Sequence, residues 1–325
     1  MPRAFIAWLV EDRAATLIQG HPLLDEVIVL PRTSWSRDSR RLPTLHRSIR
    51  GVLSSMRELR RKRFDLAIDF QGNCRSGLWA FISGAKSRIG FAGATQREAN
   101  YLFMRKHVRP ANEKVHKVEK YLDLLRECDL AGGKTDPVLP LSEDEGRAME
   151  LWLRKTCAEE LRPVVAIHPG VSTFGFFKRW PAEAYGRVVR KFSEIGIRAL
   201  LTWGPGEREE VERIRHLAGD RGTIGPRTPS LLSLVELLRR CDLFIGSDSG
   251  PLHLASAVGT PTVALFGPKD PRVYGPYGAR SRIVRTGVEC SPCIRRSCSD
   301  PVCMTTLSPE SVIEASLSLL GIKGK

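Results

Sequence analysis

The chain has 325 residues, of which 42% are apolar and 27% charged, and its formal net charge is +15. That length suits two domains better than a single core, and no apolar run approaches the ~20 residues that a membrane span needs. The positive charge predicts an anionic partner, and nucleic acid, acidic lipid and phosphorylated substrates all fit. Because the basic residues accompany no homeodomain, RRM, KH or zinc-finger pattern, we favour an acidic glycolipid at a membrane surface over nucleic acid.

The beginning of the chain and its cysteines bear on its cellular location. The first residues lack the long apolar stretch and the cleavage site of a signal peptide, which predicts a cytoplasmic protein. Eight cysteines without a secretion signal indicate mostly reduced thiols rather than a disulfide scaffold.

Alternating apolar runs and amphipathic stretches in the first half predict an α/β arrangement. Strands are expected at 4–10, 27–30, 66–69 and 88–91, and helices at 13–19, 49–59 and 76–83. The basic run 57–62 lies on or near the far face of its helix and is either a solvated face or a surface that contacts a membrane. The polar loop with Gln71 follows a strand, where open α/β sheets bind ligands, and Arg97 lies in the loop after the next strand.

A second α/β half begins with a buried strand, 164–168, that runs into a glycine loop. Hydroxyl groups and cations follow in and after that loop, at Ser172, Thr173, Lys178 and Arg179. Two cations beside the start of the next helix, predicted at 182–196, suit a diphosphate. The alternative is a surface loop in which Trp180 simply packs.

The following strand begins at Arg198 and ends in a glycine-rich turn before a helix predicted at 208–218. Glu207 stands at the start of that helix, where the helix dipole favours a carboxylate. A capping role and a contact with a ligand are both open for this side chain.

The strand 243–245 leads into the run Asp248-Ser249-Gly250-Pro251-Leu252-His253. Pro251 is expected in the first turn of a helix that a Ser or Gly caps and that Gly259 ends, before a further strand at 262–266. Such a corner offers helix N-terminal amides to an anion and a carboxylate to hydroxyl groups. The alternative is an ordinary corner of a doubly wound sheet, in which His253 caps or packs.

Four cysteines near the end of the chain form the pattern C-x-x-C-x4-C-x4-C, at Cys290, Cys293, Cys298 and Cys303. Four thiols this close suit tetrahedral zinc or an iron–sulfur cluster, although the spacing matches no standard zinc finger. We favour free or paired structural thiols over a metal site.

The string from Asp248 to Pro268 resembles the signature of the family-9 glycosyltransferases, the ADP-heptose:lipopolysaccharide heptosyltransferases. In the first half, the runs 69–72, 76–77, 88–91 and 97–98 follow the family's order and are somewhat closer to heptosyltransferase I. The resemblance implies the glycosyltransferase B architecture, in which two Rossmann-like domains face each other across a cleft. It assigns residues 1–155 to an acceptor domain without its first strand, 156–307 to the nucleotide-sugar donor domain, and 308–325 to a C-terminal helix that in this architecture often crosses back.

The resemblance also implies an activity: an inverting, metal-independent transfer of heptose from ADP-heptose to the inner core of lipopolysaccharide. The acceptor is of the Kdo–lipid A type, on the cytosolic face of the inner membrane, with which peripheral contact is expected. Lys178 would stabilise the charge on the leaving ADP as the catalytic residue, and Glu207 would contact the ribose. The other implied donor-binding residues are Ser172, Thr173, Asp248, Ser249, Gly250 and His253. Gln71 and Arg97 would bind the acceptor, and neither a cofactor nor a metal is expected.

One departure from the family concerns the general base. Family members begin with a strand and a Gly-Asp turn, whose Asp is taken as the base on the acceptor hydroxyl. Here the first residues match the family's next strand, and Glu11 and Asp12 occupy a different family position. We expect either a start placed too late or a form without its base, and we favour the former.

Other functions stay open at this point. The chain fits a related family-9 transferase that uses another nucleotide sugar, or a nucleotide-sugar-binding protein that is inactive for lack of the base. A dinucleotide dehydrogenase is disfavoured, because no Gly-x-Gly-x-x-Gly follows any predicted strand.

Overall fold

The computed structural model describes residues 4–32, 45–93, 98–112, 114–130, 137–156, 163–278, 280–293, 295 and 297–322. Backbone contacts divide the chain into two units, Met1–Thr135 and Asp136–Lys325, and each is described by itself. Both units consist of parallel strands and helices, so the predicted α/β class is confirmed. Within the described ranges, no helix has the length and apolarity that crossing a bilayer requires.

The described strands of the first unit form two parallel sheets. One pairs β1 (Ala7–Glu11) with β2 (Glu26–Leu30), and the other has the order β3 (Leu66–Asp69), β4 (Ser87–Phe91) and β5 (Lys106–Val108). The helices are α1 (Asp12–Ala15), α2 (Leu45–Arg61), α3 (Cys74–Ile82) and α4 (Lys117–Arg126), with a 3-10 turn at Asn100–Phe103.

Side chains of β1 contact the segment that follows β3. The rings of Trp8 and Phe70 stack with their centroids 5.8 Å apart, and Glu11 Oε1 lies 2.9 Å from a guanidinium nitrogen of Arg75. The buried apolar cluster of this unit lies between the larger sheet and α4, and consists of Ile89, Phe91, Val108 and Leu124.

The second unit is a doubly wound parallel sheet. Its strands are β6 (Val164–His168), β7 (Arg198–Leu201), β8 (Thr223–Ile224), β9 (Leu243–Ser247), β10 (Thr262–Leu265) and β11 (Ser281–Val284). The helices are α5 (Glu143–Thr156), α6 (Ala182–Glu194), α7 (Arg208–Leu217), α8 (Leu231–Leu238), α9 (Gly250–Ala257), α10 (Pro271–Tyr274), α11 (Val302–Thr305) and α12 (Pro309–Leu320). A 3-10 helix spans Thr173–Lys178.

The strand order β11-β10-β9-β6-β7-β8 reverses direction between β6 and β9. From β6 the chain winds toward β8, and from β9 it winds the other way toward β11. Such a switch point leaves a crevice at the carboxyl ends of the two strands, which is where open α/β sheets bind ligands. Every residue of β6 and β9 is buried, since apolar clusters cover both faces of the sheet.

The strands β3 and β6 have their predicted bounds, and β4 and β10 lie within one residue of theirs, whereas α2 begins four residues before its predicted start. The helix predicted at 13–19 is wrong in extent, because α1 ends at Ala15 and turns follow. The sequence did not predict β5, β8, β11 or α5. The C-terminal helix is capped by the Ser308 hydroxyl and ends at Leu320, before Gly321, whose φ is +69°. It packs on α6 and on β9 to β11 of the second unit, and its crossing back to the first domain stays a prediction.

Candidate functional site

Lys178 ends the 3-10 helix that follows β6, and the indole of Trp180 anchors the chain just after it. Trp180 has no solvent exposure; its Nε1 donates to the carbonyl oxygen of Leu307 at 3.1 Å, and its ring meets the edge of Tyr185 with centroids 4.7 Å apart. Trp180 is therefore packed in the core of the second unit, in agreement with one of the two interpretations of this loop. Its packing fixes the loop that carries Lys178.

The crevice at the switch point brings together side chains from both of its strands. Lys178 Nζ, after β6, lies 2.5 Å from Asp248 Oδ2, after β9. His253 Nε2, in the first turn of α9, lies 3.6 Å from the other Asp248 oxygen. We call these three residues and Ser249 the switch-point cluster. Asp248 thus lies between two groups that can carry positive charge.

The environment of Asp248 lowers its pKa. Burial by itself would raise the pKa of this carboxyl, but the neighbouring His253 and Lys178 side chains outweigh burial and hold the pKa below its ordinary value. Only 12% of the Asp248 side chain and 19% of the Lys178 side chain are exposed, so bulk water screens the pair weakly.

The N-terminus of α9 differs from expectation in one respect. Ser249 occupies the N-cap position and Pro251 the first turn, but the Ser249 side chain makes no capping hydrogen bond, so that part of the prediction is wrong. Its Oγ is buried and bonds to no described residue. Gly250 is exposed. A buried hydroxyl and free helix amides beside a lysine are the groups that bind phosphate oxygens.

Glu207 precedes α7, at the carboxyl end of β7, which neighbours β6 in the sheet. Its carboxylate does not cap the helix. Instead, Oε2 accepts from the backbone N–H of Gly204 at 2.7 Å. The carboxylate lies directly against Gly170, where a Cβ would overlap it. The capping interpretation therefore fails, and the carboxylate is held above the loop that follows β6.

Two hydroxyl residues of the predicted donor site lie in that loop. Ser172 is exposed and sits at the N-cap of the 3-10 helix, where its carbonyl oxygen accepts from the N–H of Gly175. The side chain of Thr173 lies outside the described part of the chain.

The predicted acceptor residues belong to the first unit. Gln71 is exposed, and its backbone N–H donates to Asp69 Oδ1 at 2.9 Å. The buried Asp69 also accepts from the N–H of Gly72, from Ser76 Oγ at 2.8 Å and from Asn100 Nδ2 at 2.7 Å. These bonds hold Asp69 in place, and through it they fix the loop that carries Gln71. Arg97 lies outside the described residues.

The four clustered cysteines gather beside the loop that follows β10. Cys303 is buried, and a Cβ at Gly267 would meet its sulfur, while the N–H of Cys293 donates to the carbonyl oxygen of Pro268 at 2.7 Å. Burial raises the pKa of the Cys303 thiol, and the other three cysteines raise it further. All four are free thiols, and the described ranges contain no group of three or more Cys, His, Asp or Glu arranged to hold a metal ion.

Sequence reasoning missed the residues that support Glu207. His168, the last residue of β6, lies 3.5 Å through Nε2 from Glu207 Oε2, and its Nδ1 lies 3.1 Å from Thr202 Oγ1. Both His168 and Thr202 are buried. The available signal was a histidine after four apolar residues of a strand. Its partner, Glu207, follows a different strand, β7, and the sequence does not show that β6 and β7 are neighbours.

The low pKa of Asp248 makes part of the stability of this unit depend on pH. A carboxyl whose pKa is lower in the folded than in the unfolded chain stabilises the fold above its unfolded pKa of about 3.9, and this contribution is lost as the pH falls below it. We expect Asp248→Asn to lower the free energy of unfolding by about 1.5–3 kcal/mol at pH 7. The difference from the wild type should shrink as the pH falls below about 4.

Urea unfolding followed by circular dichroism, at a series of pH values between 3 and 7, measures this difference. Asp220→Asn is the matched control, because Asp220 lies in the same unit with 69% of its side chain exposed. A gap between wild type and Asp248→Asn that stays constant over this range would contradict the role assigned to the carboxylate.

Comparison with known proteins gives concordant matches. The model of glycosyltransferase family 9 (heptosyltransferase) matches residues 52–303. Lipopolysaccharide heptosyltransferase 1 of Pseudomonas aeruginosa is 26% identical over 326 residues, covering 94% of this chain and 86% of that protein. Lipooligosaccharide heptosyltransferase 2 of Campylobacter jejuni is 31% identical over 166 residues, and this match spans about half of each chain, 49% of this one and 51% of the relative.

A solved structure, E. coli heptosyltransferase WaaC with ADP, has the same fold. The two superpose with a TM-score of 0.71 at 21% identity, covering 98% of this chain and 91% of that one.

Proposed function

Because the chain belongs to glycosyltransferase family 9, we propose that it transfers heptose from ADP-heptose to the inner core of lipopolysaccharide. The observation that carries this proposal is the switch-point cluster, where Lys178, the buried hydroxyl of Ser249 and the first turn of α9 converge. These groups suit a diphosphate. The matched structure that contains ADP and the relatives named as heptosyltransferases support the choice of donor.

The reaction we propose is a displacement at the anomeric carbon of the donor. The bond from that carbon to the ADP oxygen breaks, a bond to an acceptor hydroxyl oxygen forms, and the hydroxyl proton leaves. Negative charge grows on the departing diphosphate, and preorganised cations and amides stabilise such charge. Lys178 and the Ser249–Gly250 backbone supply them, while Asp248 and His253 orient the donor and Glu207 accepts from the ribose.

The acceptor we propose is an anionic glycolipid of the Kdo–lipid A type, reached by peripheral contact with the cytosolic face of the inner membrane. One face of α2 supports this contact. Ile49 and Leu53 are about half exposed there, among the exposed Arg50, Arg57 and Arg60. Apolar side chains flanked by arginines suit the interface of an anionic bilayer.

Co-sedimentation with vesicles tests the contact. The chain should pellet with vesicles of anionic phospholipid and not with neutral ones, and triple replacement of the three α2 arginines by glutamine should abolish this. The control is a variant in which three exposed arginines of the second unit are replaced by glutamine, namely Arg187, Arg190 and Arg208. Unchanged binding by the α2 variant would remove the contact from the proposal.

The activity itself is tested with the purified chain, ADP-heptose and a Kdo–lipid A acceptor. We expect the acceptor mass to increase by one heptose, with one ADP released for each, and no product from UDP- or GDP-sugars. Binding of ADP without transfer would show a binding protein, and transfer of a different sugar would show a related transferase. Failure to bind ADP in calorimetry would overturn the donor assignment.

A further inference from the structure

His168 is a buried polar residue that the proposed reaction does not use. It ends β6 with 4% of its surface exposed, after four apolar residues of the same strand. Burying a polar ring costs free energy unless its nitrogens find partners. The partners here are Thr202 Oγ1, 3.1 Å from Nδ1, and Glu207 Oε2, 3.5 Å from Nε2.

The chemistry of these partners selects one tautomer. Burial lowers the pKa of His168, and the charge of Glu207 offsets only part of that effect, so the ring is neutral at neutral pH and carries one N–H. An ionised carboxylate only accepts hydrogen bonds, whereas a hydroxyl can donate or accept. An N–H on Nδ1 would leave the lone pair of Nε2 facing the Glu207 carboxylate, so the hydrogen lies on Nε2. Thr202 Oγ1 also lies 3.3 Å from the carbonyl oxygen of Ile167, to which it can donate, but with the hydrogen on Nε2 the Thr202 hydroxyl donates to Nδ1 instead.

Three residues around the Glu207 carboxylate restrict its position. The Gly204 N–H binds Oε2 at 2.7 Å, the His168 ring faces that same oxygen, and the Gly170 backbone lies against the whole group. Oε1 accepts no hydrogen bond from a described residue. One oxygen is thus tied to the protein, and the other stays available to a ligand.

We propose that His168 is a positioning residue, which holds Glu207 so that its second oxygen accepts hydrogen bonds from the ribose hydroxyls of a bound adenosine diphosphate. This inference rests on the proposed function, because it needs a ribose at Glu207. It adds the residue that makes the carboxylate selective for a ribose with its hydroxyl groups in place. A carboxylate held in one orientation binds a hydroxyl group in one position more tightly than a mobile carboxylate does.

The test is the preference of the full chain for ADP over 2′-deoxy-ADP and 3′-deoxy-ADP, measured by calorimetry. A hydrogen bond to a charged group is worth about 1.5–3 kcal/mol, so the wild type should prefer ADP to at least one analogue by about 10- to 100-fold. His168→Gln places an amide N–H near the position of Nε2 and should keep most of this preference. His168→Asn reaches only as far as Nδ1 and should lose it.

Comparing these two variants separates positioning from folding. Both keep a polar amide in the same buried place, so a purely structural role predicts that they behave alike. Glu207→Gln should also lose the preference, and combining it with His168→Asn should add no further loss. Equal preference in both histidine variants, or an additive effect in the double variant, would overturn the inference. A wild type that binds ADP and both deoxy analogues equally tightly would also overturn it. A wild type that binds no ADP would instead overturn the proposed function, on which this inference rests.

Discussion

Lys178→Ala is expected to lower the transfer rate by about 10²- to 10³-fold, the loss seen when one preorganised charge-stabilising group is removed from an active site. In the free protein Nζ is held 2.5 Å from Asp248 Oδ2, at the mouth of the crevice between β6 and β9. In the proposed reaction this cation would already lie beside the leaving diphosphate and would need no reorganisation as negative charge develops. Steady-state release of ADP from ADP-heptose, with acceptor present, measures the loss.

A lysine elsewhere in the same unit is the control. Lys191→Ala removes an equal charge from α6, where half of the side chain is exposed, and should leave the rate unchanged. Circular dichroism establishes that both variants are folded. Wild-type turnover in Lys178→Ala would remove this residue from the catalytic machinery, whereas partial recovery in Lys178→Arg would support a role for its charge.

Trp180→Ala should have the largest effect on stability, lowering the free energy of unfolding by about 3–5 kcal/mol. The indole is wholly buried in the core of the second unit, and its N–H satisfies the carbonyl oxygen of Leu307, which precedes α12. Truncation leaves a cavity beside Tyr185 and an unpaired carbonyl. Urea unfolding followed by far-ultraviolet circular dichroism gives the difference.

Trp180→Phe separates the two contributions. A phenyl ring keeps the aromatic contact with Tyr185 and much of the volume, and loses the hydrogen bond to Leu307, so its cost should be well below that of alanine. A loss under about 1 kcal/mol in Trp180→Ala would show that the site collapses around the missing ring and that the loop does not depend on it.

The sequence predicted the central elements of the second unit because their signals are local. Wholly apolar runs mark β6 and β9, and the Gly250-Pro251 pair marks the start of α9. The parallel arrangement then places the residues that follow these strands at one edge of the sheet. The resemblance to the family, and not this arrangement, assigned both Lys178 and Asp248 to a donor site, and their direct contact had no signal in the sequence.

Contacts made between strands had no local signal. The Glu207 carboxylate accepts from the Gly204 N–H and lies near His168 of β6, so the capping role, one of the two alternatives for Glu207, is not observed. Ser249 likewise leaves the cap position unbonded, against its strong intrinsic preference. The shortest strands, such as β8 with two residues, are too brief for any periodicity to show.

The switch in strand order also determines when the switch-point cluster forms during folding. Lys178 and Asp248 are 70 residues apart along the chain and meet only because β9 returns to pair with β6. Closing a loop of that length must be compensated by long-range strand pairing, which forms slowly. During synthesis, a nascent chain that ends before β9 carries the lysine but not its carboxylate partner. The cluster is thus a late product of folding, and an incomplete polypeptide does not contain it.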